Sequence, residues 1–164
     1  MASLNVMIGL PGSGKSTFIK NHMNTETDVW VSRDAIRFSL LNDTDEYFAK
    51  ETMVKNIFFS MINHYLNEGK NVWMDATHLS IASRDKALNR VTAARDEMNA
   101  FFFTTPMEYC IERNDKREGR ERVPKGHINR MAYQLEPPVP YEGFDKIYFI
   151  DENGDITRIK EKNI

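Results

Sequence analysis

A glycine-rich segment near the start of the chain has the residue types and spacing that phosphate binding requires. Gly9 to Ser16 (GLPGSGKS) fits the pattern Gly-x-x-x-x-Gly-Lys-Ser/Thr at every position. Glycines let the backbone turn tightly and aim N–H groups at phosphate oxygens, while the lysine places a cation on the β- and γ-phosphates. The pattern predicts an ATP site made of Gly9, Pro11, Gly12, Ser13, Gly14, Lys15, Ser16 and Thr17.

The residues on either side give this segment the setting that a phosphate-binding loop needs. Leu4 to Leu10 is a nearly continuous apolar run, as expected for a buried parallel strand. Lys15 to Met23 reads as a helix, whose positive dipole end would face the phosphates. A strand, a glycine turn and a helix in this order argue against a chance match.

A second polar cluster, Ser32 to Arg37 (SRDAIR), follows the predicted strand Asp28 to Ser32. Ligands of open α/β sheets bind at the carboxyl ends of the strands, which would place this cluster beside the γ-phosphate. Asp34 is then suited to accept the proton of an attacking hydroxyl, and Arg37 to hold a phosphate of the acceptor. Spacing alone equally allows Asp34 to be a helix-dipole residue and Arg37 a surface cation.

Two later predicted strands also end in an aspartate, at Asp75 and Asp151. Such an acid can hold the water shell of Mg²⁺ or the acceptor, and Asp75 is preferred because further polar groups follow it. We predict that Ser16 binds Mg²⁺ directly and Asp75 through water. Thr77 is expected at the acceptor or as a helix cap, and His78 at the surface or as a cap. No histidine or cysteine spacing resembles a zinc site.

A basic stretch lies between Glu112 and Arg130, diluted by acidic residues. One interpretation is a solvated helix face with local ion pairs, which would describe most of its residues. The preferred interpretation for Arg113 and Arg117 is a mobile lid, at about 113–130, that closes over ATP and stabilises charge on the transferring group. Gly119 and the break at Val123-Pro124 suit such a lid.

Strands alternate with helices along the whole chain, which predicts one α/β domain over residues 1–164. We expect three layers, in the manner of P-loop kinases, with a mainly parallel five-stranded sheet, helices on both faces, a helical lid and a last short strand. The predicted strands not yet named are Asn71 to Asp75, Met98 to Thr104, Lys146 to Asp151 and Ile156 to Ile159. The predicted later helices are Ser32 to Leu41, one from after Asp45 to Asn67, Ser80 to Arg95, Pro106 to near Arg122, and Lys125 to Leu135.

Composition sets limits on the function. Net charge is −2, so no global positive field attracts nucleic acid, and local basic residues would have to hold it. No apolar run reaches the roughly 18 residues of a membrane span, and no leader segment opens the chain. The single cysteine, Cys110, is expected to be a buried, inert thiol, which predicts a reducing, cytoplasmic setting.

The motifs narrow the class of nucleotide-binding protein. A regulatory GTPase would need a guanine-reading Asn-Lys-x-Asp element, which the chain lacks. The chain is also too short for the extra domains of most motor or transport ATPases. A small kinase that transfers the γ-phosphoryl group of ATP to a hydroxyl is the most economical interpretation.

Taken together, these motifs resemble the kinase domain of the phage-type 5′-hydroxyl polynucleotide kinases. The likeness covers nearly the whole chain in the same order: GLPGSGKST, SRDAIR, MDATHL and ERNDKREGRERVP. The resemblance implies that Asp34 is the general base and that Arg37 binds the 3′-phosphate of the nucleotide that carries the 5′-hydroxyl. It also implies that Asp75 and Thr77 hold the acceptor, a DNA or RNA end, and that Arg117 contacts the ATP phosphates. The chain ends before any phosphatase domain, which predicts a kinase that stands alone.

Two other functions stay open at this point. A small-molecule kinase of related fold, acting on a sugar, an antibiotic or a nucleotide, fits the net charge of −2 and the diluted basic stretch. A non-catalytic ATP-binding switch is the second, although Lys15, Ser16, Asp34 and Arg117 argue against a degenerate site.

Overall fold

Six strands form one sheet in the computed structural model, which describes residues 2–124 and 126–162. The strand order is β2-β3-β1-β4-β5-β6, and every neighbouring pair is parallel except β5 and β6, which are antiparallel. The expected sheet of five strands is therefore wrong by one, because the last short strand pairs with β5 and joins the sheet. The strands are β1 (Ser3–Ile8), β2 (Asp28–Ser32), β3 (Asn71–Asp75), β4 (Glu97–Phe103), β5 (Lys146–Ile150) and β6 (Ile156–Glu161).

The helices occupy the predicted places but are shorter than expected. The segment after Asp45 continues as turns before a helix begins, and residues after Arg90 and after Lys116 leave their helices. Lys125, the predicted first residue of the last helix, lies outside the described residues. The helices are α1 (Lys15–His22), α2 (Arg33–Leu40), α3 (Glu51–Asn67), α4 (Ile81–Asn89), α5 (Met107–Asp115) and α6 (His127–Gln134).

Apolar side chains fill both faces of the sheet. Along β1, Leu4, Val6 and Ile8 contribute to one core cluster, whereas Met7 contributes to another, because successive strand residues point to opposite faces. The first cluster contains the apolar stripe of α3, and the second contains Phe18 and Ile19 of α1. Helices therefore cover both faces, as expected for a buried parallel sheet.

The topology brings the predicted site residues to one edge of the sheet. β1 lies between β3 and β4, and the chain leaves its carboxyl end through the glycine-rich loop into α1. Ser32 at the end of β2 is in register with Asp75 at the end of β3. The first three parallel strands thus end beside one another, at the edge where open α/β sheets bind ligands.

Two predictions from the sequence concern the single cysteine and membrane-spanning segments. Cys110 is free and completely buried, as predicted, and burial raises the pKa of its thiol, which disfavours the reactive thiolate. Among residues 2–124 and 126–162, no helix combines the length and the apolarity that crossing a lipid bilayer demands.

A buried ion pair holds the turn that follows β3 in place. The guanidinium of Arg84, which is fully buried, contacts the carboxylate of Glu142 at 2.7 Å. The same guanidinium donates to the carbonyl oxygens of His78 and Leu79 at 2.9 and 3.1 Å and of Pro137 at 3.3 Å. It thereby joins the turn after β3 to the segment that precedes β5.

Removing the acidic partner should destabilise the fold strongly. We expect Glu142→Ala to lower the free energy of unfolding by about 3–5 kcal/mol, since it leaves the Arg84 charge buried without its carboxylate. Urea denaturation followed by circular dichroism measures the loss. Glu112→Ala, which breaks an exposed pair with Lys116 in α5, is the control and should cost at most about 1 kcal/mol. Equal losses for the two variants would contradict the structural role of Arg84.

Candidate phosphotransfer site

The glycine-rich loop has the backbone shape that a phosphate cradle needs. Gly12 and Gly14 have φ angles of +80° and +106°, a region that other residues rarely adopt. A side chain at Gly12 would also place its Cβ 2.7 Å from the carbonyl oxygen of Cys110 in α5. The loop is therefore built so close to α5 that only glycine fits at this position.

Lys15 lies at the inner side of this loop. Its Nζ donates to the carbonyl oxygens of Gly9 at 3.0 Å and Leu10 at 2.8 Å. Burial lowers the pKa of Lys15, and the nearby carboxylates of Asp75 and Asp34 oppose that shift. In the described part of the chain no carboxylate is within ion-pair distance of the ammonium group, so an incoming phosphate would not have to displace one.

Asp34 lies in the first turn of α2, whose N-terminus is capped by the Ser32 hydroxyl accepting from the N–H of Ala35 at 3.1 Å. The Asp34 side chain is 52% exposed. Its Oδ1 accepts hydrogen bonds from Arg37 and from the Tyr47 hydroxyl, the latter at 2.9 Å. No donor among the described residues bonds Oδ2. One carboxylate oxygen is thus held in place, while the other makes no hydrogen bond to the described residues, and Asp34 lines the cleft described below.

Arg37 is not the surface cation that spacing also allowed, because it is only 4% exposed. Its Nε and Nη2 donate to the carboxylate of Glu51 at 2.8–3.2 Å, and its Nη1 donates to Asp34. The guanidinium therefore holds Asp34 in position and is itself held by Glu51. Binding of an acceptor phosphate by Arg37 stays a prediction, and such a phosphate would have to share donors that Glu51 and Asp34 occupy.

Of the two strand-ending acids, Asp75 is the one beside the loop. Trp30 Nε1 donates to its Oδ2 at 2.9 Å, and burial raises its pKa, against the influence of Lys15 and of the Trp30 hydrogen bond. Asp151 instead accepts from the N–H groups of Asn153 and Asp155 in the turn between β5 and β6. The geometry thus favours Asp75 over Asp151 for a site at the phosphates.

Thr77 follows β3 and lines the cleft. Its carbonyl oxygen accepts a hydrogen bond from the N–H of Gly9 at 3.0 Å, which ties the end of β3 to the start of the loop. The threonine side chain is partly exposed. Thr77 is therefore located where a contact with the acceptor is possible, and that role stays a prediction.

The two arginines proposed for the lid have different surroundings. Arg113 in α5 donates to the carbonyl oxygen of Gly12 at 3.2 Å and to that of Glu152 at 2.6 Å. Arg117, just after α5, makes one long hydrogen bond, 3.4 Å, to the carbonyl oxygen of Glu121 and faces the cleft. Arg113 thus braces the glycine-rich loop, whereas Arg117 has donors available for phosphate. The neighbouring pairs Glu112–Lys116 and Asp115–Arg122 form the solvated face.

All these elements border one cleft of about 460 Å³. Its walls come from the glycine-rich loop, the start of α2, the turns before α3, the end of β3 and the segment after α5. It brings together nearly every site residue predicted from the sequence, of which only Gly9 is not in the lining. The predicted residues that line it are Pro11, Gly12, Ser13, Gly14, Lys15, Ser16, Thr17, Asp34, Arg37, Asp75, Thr77, Arg113 and Arg117.

Three residues that line the cleft were not predicted from the sequence, namely Tyr47, Phe48 and Glu51. They line the cleft next to Asp34 and Arg37. Tyr47 and Phe48 lie in the turns that precede α3, where a helix was expected. No periodicity marks these positions, so the signal that could have found them was the acidic Glu51 as a charge partner for a buried arginine.

His78 was expected at the surface and is in fact buried. Its Nδ1 donates to the carbonyl oxygen of Met7 at 2.7 Å, and its Nε2, also buried, has no hydrogen-bond partner within residues 2–124 and 126–162. Burial lowers the pKa of His78 to about 3, and the positive charges of Arg33, Lys15 and Arg84 act in the same direction. The side chain is therefore a neutral core group that supports the turn after β3.

This burial predicts a loss of stability in acid. The pKa of His78 is near 6.5 in the unfolded chain and about 3 in the folded one, so below pH 6.5 only the unfolded chain takes up the proton. We expect the free energy of unfolding of the wild type to fall more steeply than that of His78→Asn, by about 1.4 kcal/mol per pH unit between pH 5.5 and 4. Urea unfolding at each pH measures the slopes. A slope that is unchanged in His78→Asn would refute the assignment.

The side chains at the loop suit a magnesium ion. Ser16 offers an exposed hydroxyl at the start of α1, and Asp75 offers a carboxylate of which only Oδ2 is hydrogen-bonded. Mg²⁺ prefers such oxygen ligands and commonly takes one or two protein groups together with substrate phosphates. Among the described residues there is no cluster of three His, Cys, Asp or Glu that would form an all-protein metal cage. The donor set therefore fits Mg²⁺ held jointly with a nucleotide.

Comparison with proteins of known sequence places these features in a wider group. The chain is 29% identical over 158 residues to the transcription factor bHLH140 of Arabidopsis thaliana, covering 92% of this chain and 16% of that protein. It is 29% identical over 150 residues to a putative bifunctional polynucleotide phosphatase/kinase of Acanthamoeba polyphaga mimivirus, covering 87% of this chain and 31% of that protein. The chain thus spans less than a third of the length of either relative.

Solved structures with a similar fold include a chain of an RNA repair complex and a gluconokinase. In the Pnkp1/Rnl/Hen1 RNA repair complex, a chain aligns with 99% of this one and 49% of its own length, at a TM-score of 0.69 and 26% identity. A gluconokinase from Sinorhizobium meliloti aligns over 91% of this chain and 82% of its own, at a TM-score of 0.58 and 17% identity, and shows the shared fold alone.

The expected fold class is confirmed in its coarser form, as the α/β fold of P-loop kinases with a mostly parallel sheet. A family model described as AAA domain (AAA_33) matches residues 4–138, a range that contains the glycine-rich loop, Asp34, Asp75 and Arg117. The chain therefore belongs to the AAA_33 family of P-loop kinase-type domains.

Proposed function

We propose that this protein is an ATP-dependent kinase that transfers the γ-phosphoryl group to the 5′-hydroxyl end of a polynucleotide. The observation that carries the proposal is the position of Asp34, which lines the same cleft as Lys15 and Arg117 and whose Oδ2 has no hydrogen-bond donor among the described residues. A carboxylate beside a phosphate site is the group that takes the proton from an attacking hydroxyl.

The chain's own residues divide the work of transfer. The loop N–H groups and Lys15 would hold the β- and γ-phosphates, and Arg117 would stabilise charge that develops on the transferring group. Asp34, oriented by Arg37 and Tyr47, would take the proton of the acceptor hydroxyl as the new O–P bond forms in line with the bond that breaks.

Magnesium would be held by the Ser16 hydroxyl and, through water, by Asp75. When bound, it neutralises negative charge on the phosphates during transfer. The raised pKa of Asp75 sets a requirement, because its carboxyl group must be deprotonated to hold the water shell of the ion. The proximity of Lys15 and the Trp30 hydrogen bond both favour that form.

The segment at about 113–130 would act as the lid. Arg113 already bridges to the loop, so the moving part would begin after α5, where Gly119 has a φ angle of +60°. Closure of this part would bring Arg117 onto the phosphates and exclude water from them.

A polynucleotide acceptor is supported by two of the similar proteins. The mimivirus relative is described as a polynucleotide phosphatase/kinase, and the structural relative belongs to an RNA repair complex. These two similarities support our proposal that the protein restores 5′-phosphate ends during nucleic acid repair. The single, buried cysteine fits a reducing cytoplasmic setting for that work.

Transfer of label tests the proposal. The protein would be incubated with Mg²⁺, γ-labelled ATP and a panel of 5′-hydroxyl DNA and RNA oligonucleotides, a nucleoside 3′-monophosphate and sugars. Label at the oligonucleotide 5′ end is the expected result, and its relative amounts would rank DNA against RNA. Label only on a small molecule would replace the acceptor by that molecule. ATP binding with no transfer to any acceptor would favour the switch and overturn the proposal.

A further inference from the structure

A phenylalanine that the fold leaves in solvent lies at the acceptor side of the cleft. Phe48 is 42% exposed, although it lines the same cleft as Asp34 and Arg37. Burial of an aromatic ring is favourable, so a ligand that covered this ring would gain binding free energy. The aromatic residues of the core are buried in the two clusters of the sheet, and Phe48 belongs to neither cluster.

The surroundings of Phe48 give its ring a defined orientation. The Tyr47 ring meets it edge-on, with centroids 4.6 Å apart and planes at 78°. The His127 imidazole lies parallel to it, with centroids 5.6 Å apart and planes within 5°. Arg37 Cζ lies 5.4 Å from the Phe48 centroid, which adds positive charge beside the ring. One face of Phe48 thus already accommodates a flat aromatic ring.

The same arrangement connects this face to the proposed chemistry. Tyr47, the neighbour of Phe48, donates its hydroxyl hydrogen bond to Asp34. A nucleotide whose 5′-hydroxyl reaches Asp34 would therefore carry its base into the region of the Phe48 ring. His127 is the first residue of α6 and follows Gly126, whose φ angle is +86°, so it lies next to a backbone position with wide conformational freedom.

We propose that the terminal base of the acceptor stacks on Phe48, in the place that the His127 ring occupies in the free protein. This inference rests on the proposed function and names the specificity element of that site. Stacking on an aromatic side chain accepts every base, because every base has a π-face. Phe48 would therefore favour nucleic acid ends of any sequence over sugars, and it would add binding free energy that the net charge of −2 does not supply.

Binding of a fluorescent oligonucleotide tests the inference without depending on turnover. The probe is a short 5′-hydroxyl oligonucleotide with 2-aminopurine as its terminal base, titrated into the full chain. We expect wild-type protein and Phe48→Trp to quench the probe, because an aromatic ring stacks on it. Phe48→Leu should abolish the quenching and raise Kd about tenfold, which corresponds to about 1.4 kcal/mol. Tyr133→Leu, which removes an aromatic ring that is 93% exposed outside the cleft, is the matched control and should leave both unchanged.

An oligonucleotide with an abasic 5′ end separates stacking from other effects. The wild type should bind it about tenfold more weakly than the normal end, whereas Phe48→Leu should bind both alike. Equal binding of the normal end by wild type and Phe48→Leu, while transfer to oligonucleotides proceeds, would overturn the stacking inference and leave the proposed function standing. Failure of the wild type to bind or phosphorylate any oligonucleotide would overturn both.

Discussion

Phosphoryl transfer should fall by about 10²- to 10⁴-fold when Asp34 is replaced by asparagine. An amide cannot take the proton of the attacking hydroxyl, yet it keeps the size of the carboxylate. Its oxygen can still accept from Arg37 and Tyr47, which bond Oδ1 in the wild type. The loss should therefore appear in kcat, with the Kd for ATP within about twofold of wild type, since Asp34 lies outside the glycine-rich loop.

Single-turnover transfer and calorimetric ATP binding measure the two quantities separately. Asp85→Asn is the matched control, because it removes an exposed carboxylate from α4 that does not line the cleft. It should retain wild-type transfer. If Asp34→Asn transferred phosphate at near wild-type rates, the proton would leave by another route and Asp34 would be a helix-dipole residue only.

Lys15→Ala should impair both ATP binding and transfer. The ammonium is the cation nearest the loop backbone, where it bonds the carbonyl oxygens of Gly9 and Leu10. Without it, the γ-phosphate loses its cation in the ground state and the transition state alike, so we expect a drop of about 10²- to 10³-fold in kcat together with weaker binding of ATP.

The matched control for this change is Lys20→Ala, one turn further along α1, where the lysine is exposed. Its ATP affinity and rate should equal those of the wild type. A thermal melt of each variant checks the fold. Lys15→Ala that binds ATP normally and loses only transfer would show that the lysine acts on the transition state alone, and normal transfer would refute the phosphate site.

The order of elements could be predicted because it depends on local signals. Apolar runs ended by polar residues located β2 and β3 with the observed bounds, and the glycine pattern located the turn between β1 and α1. The helix expected to reach Arg95 ends at Asn89 for a tertiary reason. The Asn63 side chain, from α3, accepts hydrogen bonds from the N–H groups of Thr92 and Ala93, which holds that segment away from helical geometry.

The residues of the candidate site also differ in how far the sequence predicts their positions. The residues at strand ends could be placed at one edge, because parallel strands end together. The hydrogen-bond partners of those residues could not be predicted, because the Arg37–Glu51 pair spans fourteen positions of the sequence through irregular backbone. A histidine's polar type suggested exposure, and only the packing of Phe58 and Met7 around His78 shows why it is buried.

The hydrogen bonds of Arg84 and Arg113 show that residues beyond the family match support the candidate site. The family match stops at residue 138, but Glu142 is the partner of Arg84, and Glu152 accepts from Arg113, the arginine that also holds Gly12. The final hairpin lies outside the residues that the family model matches. Through Glu152 and Arg113 it nevertheless supports the glycine-rich loop. A fragment cut at the family boundary would keep every motif and lose the contacts that shape them.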